Sequence, residues 1–539
     1  MGQRMKAIDY ATVAVFLIGI FWLGSWFYRW VGTPDDFYLA DRQLTPFILA
    51  ASLTTANISL FSLIGVSGTA YQSGISIIWL TWTGNMALVF SGLFVIPVLR
   101  RLRIRTIPEF LEMRYSGSVR ILVSVLWVFR LAFWIAVVLY AGVTAAQQLT
   151  GIGSFTLWIL VFTCIVVVYT TMGGMWSVVL TNNLGFLLMM CAVLTIFPMA
   201  MHAAGWRPGL TAHLPPHYLE FVTTGGKYNW KFIIAILALG LQWATLDQGL
   251  LQSAFSARDP RVVSKGMVLS AVMITPFAFL WILPGLAARV LYPGLAKGEL
   301  AVPTLILHLL PVGALGFVTC GFMASLLSTI GSNLGAVATL MTNDIYGRLL
   351  NRRASPKQLL IAVRMATVLA GLLTIGLTFL VPYLGGAVDA YLTVISIMDM
   401  PLFVIAIPFG LLWKRTTWQG AISGYIAGSL TGAILRFGFG CEVAPVTIIS
   451  GAAAAVVCPV VTLATKARPA VPELDAKMEE KVSVRPPVYA VSRWVLALGF
   501  AIFLGGVLTG GRNESTASVI ALSGGLMYFV AGLIMAKSA

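Results

Sequence analysis

Fifteen stretches of about twenty residues, each largely apolar and set apart by short polar loops, leave this 539-residue chain few ways to fold. A run of that length, wound as a helix, crosses the hydrocarbon core of a bilayer. Backbone inside that core must satisfy its own hydrogen bonds, which restricts spanning segments to helices and closed barrels. Unbroken runs of twenty, rather than alternating runs of ten, select helices. The chain is therefore expected to be an all-α polytopic membrane protein. With 59% hydrophobic and only 10% charged residues it does not have the balance of a soluble domain. The first run, 9–30, is not followed by a small-residue cleavage site and reads as a retained span.

The loops give the orientation. Arg100, Arg101, Arg103, Arg105, Arg114 and Arg120 follow the third run, and Arg258, Arg261 and Lys265 the seventh. Arg348, Arg352, Arg353 and Lys357 follow the ninth, and Lys414 and Arg415 the eleventh. Loops after even-numbered runs carry few basic residues, such as Arg207, Lys227, Lys297 and Arg512. The positive-inside rule then predicts an N-terminus outside and a C-terminus inside. The net charge of +16 is thus a matter of topology and does not indicate nucleic acid. Pro108 and Glu109, in a charged stretch between runs three and four, predict a cytoplasmic amphipathic helix. Cys164, Cys191, Cys320, Cys441 and Cys458 stand singly, and the four histidines do not make a zinc site.

Several runs contain groups that a lipid-facing helix would avoid. Ala50–Tyr71, within the run 46–71, holds Thr54, Thr55, Asn57, Ser59, Ser62, Ser67 and Thr69, with Gly65 and Gly68 loosening the helix. The run 230–252 repeats this with Trp243, Thr245, Asp247, Gln248, Gly249 and Gln252. Two polar, glycine-punctuated spans five helices apart are what inverted five-helix repeats with a broken first helix would produce. The run 303–342 is long enough to be tilted or to begin as a separate segment near His308. It places Ser325, Ser328, Thr329, Ser332 and Asn333 on successive turns. These residues suit either interhelical packing or, with carbonyls released at a helix break, the oxygen shell of a sodium ion. Gly173-Gly174, between the runs 154–172 and 182–203, predicts a tight turn.

Two further positions stand out at membrane depth. Arg130 lies well inside the run 121–149, where an unpaired arginine costs roughly 2.5–3.5 kcal/mol. It would serve a bundle-facing role, as an ion partner or a ligand for a solute carboxylate, or form a structural pair, for example with Asp247. Asp399, two residues before Pro401 in the run 389–412, could contact solute, titrate, or bond to backbone freed by the proline.

Taken together, these motifs resemble the sodium:solute symporter family, which includes the sodium–sugar cotransporters and has the LeuT-type inverted-repeat fold. FYLADRQL after the first run, the stretch from ANIS to Tyr71, RTIPEFLEMRY, YTTMGGMWSVVLTN, and DQ followed by LPGLAARVLYP all match its segments. ASLLSTIGSNLGAVATLMTNDIY is similar to its sodium-site helix. The resemblance covers roughly residues 9–437. It implies a 5+5 inverted-repeat core with extra N- and C-terminal helices. The expected division is 1–45 as an N-terminal span and cytoplasmic segment, 46–203 as the first repeat, 204–412 as the second, and 413–539 as accessory helices with a linker at 466–493. By the same resemblance sodium is the coupling ion. Its site would use the carbonyls of Thr55, Ile58 and Ser325 with the hydroxyls of Ser328 and Thr329. Asn57, Ser62, Thr81, Trp243 and Thr393 would face the solute, joined by Arg130, Asp247 and Asp399.

Departures from the family pattern refine these expectations. Thr81, Met273 and Thr393 stand where the sugar branch has glutamate, lysine and glutamine, so the polar hand that grips a hexose is largely absent. With Arg130 on the third core helix, this favours an organic acid, acidic sugar or amino acid. Asn182 replaces an aspartate of a second sodium site, which leaves one coupling sodium. The expected function is sodium-coupled import of a small polar organic solute by alternating access, as a monomer in the cell membrane. Proton coupling through Asp247 or Asp399 is the first alternative. A sensor or ion conductor on the same fold is the second, weakened because no signalling domain follows the last run. An enzyme would need a nucleophile–base pair or metal cluster that the sequence does not offer.

Overall fold

The computed structural model describes residues 5–26, 45–102, 104, 106–255, 257–466 and 487–538. The segment FYLADRQL, Arg103, Arg105 and most of the 466–493 linker lie outside the described residues, as do the side chains of Thr55, Asn182 and Gln252. Helices follow one another along the chain. Among the described residues ten are long and apolar enough to cross a membrane, or eleven if Leu187–Ala203 and the bent Trp206–His213 helix count as one span. Shorter apolar helices occupy Ala7–Trp22, Trp230–Leu246 and Gly298–Leu309. This count falls short of fifteen partly because breaks divide some apolar runs into pieces too short to span alone.

Both polar spans are interrupted. Pro46–Asn57 is α-helical, Ile58 and Ser59 leave the helix, and the chain resumes as a π-helical turn over Phe61–Val66 that leads into Ser67–Ser73. Trp230–Leu246 stops at Asp247, whose extended backbone (ψ 115°) separates it from Gln248–Phe255. The ninth run divides near His308 into Ala301–Leu309 and Ala314–Thr339, the latter continuing as a π-helix over Leu340–Leu350. The amphipathic helix is Ile107–Arg114, with the Thr106 hydroxyl accepting from the Glu109 amide at 3.2 Å.

One expectation fails. Phe155–Ala203 is helical throughout, so no turn interrupts the backbone at Gly173-Gly174. A glycine disfavours helix by about 1 kcal/mol, too little by itself to break one between two apolar segments. Gly173 is buried within that helix.

The long helix Gly117–Thr150 runs through the middle of the bundle. It packs against Ala314–Thr339, Pro356–Thr378 and Ala387–Val394. Close approach depends on Gly142, where a Cβ would come within 2.4 Å of the Leu326 side chain. Pro487–Thr509 and Glu514–Ser538 form a tight pair and lean on the core through the Tyr528 hydroxyl, which donates to the Met86 carbonyl at 3.0 Å.

Candidate functional site

The two helix breaks meet at a cavity of about 180 Å³ in the centre of the bundle. Asn57 and Ser59 from the first break line it, as do Asp247, Gly249 and Leu250 from the second. Ser62, Thr81, Asn85, Arg130 and Trp243 complete much of its wall, and Ser328, Thr329, Ser332 and Asn333 form one side. This volume suits a small metabolite and falls below the range typical of drug-sized ligands.

The most strongly determined feature is ionic. Arg130 Nε donates to Asp399 Oδ2 at 2.7 Å, and Nη1 donates to Asp247 Oδ2 at 2.8 Å. Arg130 is 4% exposed and Asp399 is fully buried. An isolated charge at this depth is expensive, so three such groups on separate helices collapse onto one another. Asp247 also acts as a helix cap. Its Oδ1 accepts from the Leu250 amide at 3.1 Å, in the first turn of the helix that resumes after the break. One carboxylate thus ends one half-helix, starts the next and holds the arginine. Asp399 reaches Arg130 from a π-helical turn, Ile395–Asp399, that ends two residues before Pro401.

The structure shows which partners Arg130 and Asp399 have. Arg130 forms the anticipated pair with Asp247 and a second with Asp399. Asp399 binds the arginine and does not line the cavity. The Nη2 atom of Arg130 and Oδ1 of Asp399 are buried without a hydrogen-bond partner among the described residues.

On the Ser328 side the geometry concentrates oxygen. The Ser325 carbonyl accepts from the Ser328 hydroxyl at 3.0 Å and from the Thr329 hydroxyl at 2.9 Å. A hydroxyl that donates to a carbonyl turns its lone pairs outward, the orientation a hard cation needs. Ser328 and Thr329 are on the cavity wall, Ser325 is buried behind them, and Ile58 sits at the first break. Thr55 belongs to the helix that ends at that break. Among the described residues no three His, Cys, Asp or Glu side chains gather as a metal cluster.

Of the residues expected to face solute, Asn57, Ser62, Thr81, Arg130, Trp243 and Asp247 share the cavity. Thr393 does not line it; its hydroxyl is buried and lacks a partner among the described residues. The sequence reading missed the aromatic wall. Phe61 packs edge-on to Trp134 at 5.2 Å and to Tyr391 at 5.4 Å, and Trp134 and Tyr391 lie 4.7 Å apart. Trp134 stands one helical turn beyond Arg130, a spacing that could have drawn attention to it.

The chain is similar to known proteins over most of its length. Residues 37–428 match the sequence profile described as "Sodium:solute symporter family". A sodium/glucose cotransporter of Vibrio parahaemolyticus is 29% identical over 470 residues, covering 80% of this chain and 86% of that protein. A pig sodium/myo-inositol cotransporter 2 is 26% identical, over 80% of this chain and 70% of the relative. A solved structure of a Na⁺-coupled sialic acid symporter, substrate-bound and outward-open, superposes with a TM-score of 0.75 at 20% identity. It covers 86% of this chain and 99% of that one, and establishes likeness of fold.

Proposed function

Since this chain belongs to the sodium:solute symporter family, with sodium as its coupling ion, we propose that it imports a small polar organic solute by alternating access around the central cavity. The observation that carries this reading is the meeting of two broken helices at a cavity whose opposite wall holds Ser328 and Thr329. Unwound backbone at membrane depth offers carbonyls to a coupling ion. Sodium would sit between the first break and those two hydroxyls, with the Thr55, Ile58 and Ser325 carbonyls as further ligands. Bound there, it ties Pro46–Asn57 to Ala314–Thr339 and holds the cavity wall in shape for the solute.

The triad bears on which solute. A solute carboxylate could take Arg130 Nη1 only by displacing Asp247, and Nη2 is buried. The polar side chains otherwise lining the cavity, among them Asn57, Ser59, Ser62, Thr81, Asn85 and those of the Ser328–Asn333 side, are neutral, and Trp134, Trp243 and Tyr391 offer ring faces. That set suits a neutral polyhydroxylated solute better than the acid that Arg130 alone suggested. The named substrates of the glucose and myo-inositol relatives support this shift. The acid reading keeps one specific support, the presence of Arg130 on the cavity wall.

Uptake into proteoliposomes under an inward sodium gradient separates the two. A hexose or inositol should compete for transport at concentrations where the corresponding uronic acid does not. Selective competition by the uronic acid, abolished in Arg130→Gln, would reverse the assignment.

A further inference from the structure

A second cavity, of about 400 Å³, lies away from the central site, between the π-helical segment Leu340–Leu350 and the helix Pro356–Thr378. Met341, Ile345, Ala362, Met365, Ala366 and Leu369 form most of its apolar lining. Its origin is visible in the sequence. Ala362 and Ala366, one turn apart, leave a hollow on one helix, while the wider π-helical backbone across from them does not fill it. Both walls belong to segments apolar enough to span the membrane. Leu350, Ile361, Met365 and Leu369 are more than half exposed there, so the cavity opens on the outer surface of the bundle through apolar side chains that suit contact with lipid. An apolar hollow facing lipid has no reason to stay empty when an acyl chain can enter it.

One end of the hollow is strongly basic. Arg352, Arg353 and Lys357 are exposed in the short connection between the two walls, beside Arg348. No aspartate or glutamate occurs between Asp344 and Asp389 in the sequence. Asp344 is committed to Arg120. The helix N-terminus capped by Ser355 opens into the same connection and adds a partial positive charge. Basic groups at the end of a lipid-facing hollow attract anionic headgroups.

We propose that this hollow is a binding site for one anionic phospholipid. An acyl chain lies between Leu340–Leu350 and Pro356–Thr378, and the headgroup phosphate rests against Arg352, Arg353 and Lys357. The site adjoins Asp344 and Arg348, which pair with Arg120 and Glu112 across to neighbouring helices, so a lipid seated there braces the same segment from outside.

The test is native mass spectrometry of the full chain released from nanodiscs of equal phosphatidylglycerol and phosphatidylcholine. The protein should retain phosphatidylglycerol several-fold over phosphatidylcholine. The rim variant R352Q/R353Q/K357Q should lose that preference, and Ala366→Phe should reduce retention of both lipids. Soluble glycerol 3-phosphate, which carries the headgroup charge without acyl chains, should not displace the bound lipid. Because either variant could misfold, the unaltered protein supplies a second measurement. A phosphatidylglycerol carrying a photoreactive group on its acyl chain should label peptides within residues 341–369. Equal retention of the two lipids by the unaltered protein, or labelling spread without enrichment in that segment, overturns the proposal.

Discussion

At the scale of single residues, the charge pattern at membrane depth decides most. Arg130, Asp247 and Asp399 were each conspicuous in the sequence, because an ionisable group inside an apolar run needs a partner. Sequence alone could name the Asp247 pair as an option but not the Asp399 contact, which depends on how the run 389–412 is placed against Gly117–Thr150. The consequences are unequal across the triad. Arg130→Ala leaves the buried Asp399 and the cavity-facing Asp247 without their counter-ion and should destabilise the protein by about 3–5 kcal/mol. Asp399→Asn leaves Arg130 paired with Asp247 and should cost less; thermal denaturation of the purified variants in detergent gives the order directly. An Asp399→Asn variant less stable than Arg130→Ala would contradict this account. The Ser328–Thr329 pair stood out through the likeness of its helix to the family's sodium-site helix, since Thr54-Thr55 and Thr170-Thr171 are equally adjacent hydroxyls in apolar runs, whereas the aromatic wall of Phe61, Trp134 and Tyr391 did not stand out. An aromatic residue by itself does not separate a cavity wall from a lipid face, and only Trp134, one helical turn beyond Arg130, carried a positional hint.

At the scale of elements, the helix breaks were the best-read part of the fold. Clustered Ser, Thr, Asn and Gly in one span, and Asp-Gln-Gly in the other, marked places where backbone bonds are given up. The chain breaks at Ile58–Ser59 and at Asp247. The Gly173-Gly174 pair misled in the opposite direction, since glycine permits a turn without requiring one. Asp247 predicts an element-level outcome. Asn caps a helix about as well as Asp, so Asp247→Asn should preserve the start of Gln248–Phe255 while removing the charge pair. Asp247→Ala should lose the cap as well, a further cost of about 1 kcal/mol. Hydrogen exchange over residues 248–255 would report the difference, with faster exchange expected only in the alanine variant.

At the scale of the whole molecule, opposite ends of the bundle are tied by separate ionic contacts. At one end Glu112 joins Arg120 and Arg348, and Arg120 joins Asp344. At the other, Lys227 and Tyr228 hold Asp389. Burial pushes the Glu112 carboxyl up, but hydrogen bonds from Arg120 and Arg348, with their charges, outweigh it and hold the group below the ordinary glutamate range. A depressed carboxylate stabilises the folded state fully above its unfolded value, about 4.3, and loses that contribution as pH falls through the lower native value. Acidification below about pH 4.3 should therefore loosen this end, and Glu112→Gln should show a smaller loss of melting temperature over that window. Hydropathy counts apolar runs and does not distinguish a continuous crossing helix from one divided at a break, so the helix count among the described residues and the run count differ.

The central claim is that Ser328 and Thr329 hold the coupling sodium beside the first helix break. A ligand that binds the native state raises the melting temperature by mass action. The melting temperature of the purified full chain, compared in sodium chloride and potassium chloride at equal ionic strength, tests the claim most directly. The native chain should melt higher in sodium, and S328A/T329A should keep its melting temperature in potassium while losing the sodium increment. A variant that retains the full sodium increment would contradict the assignment.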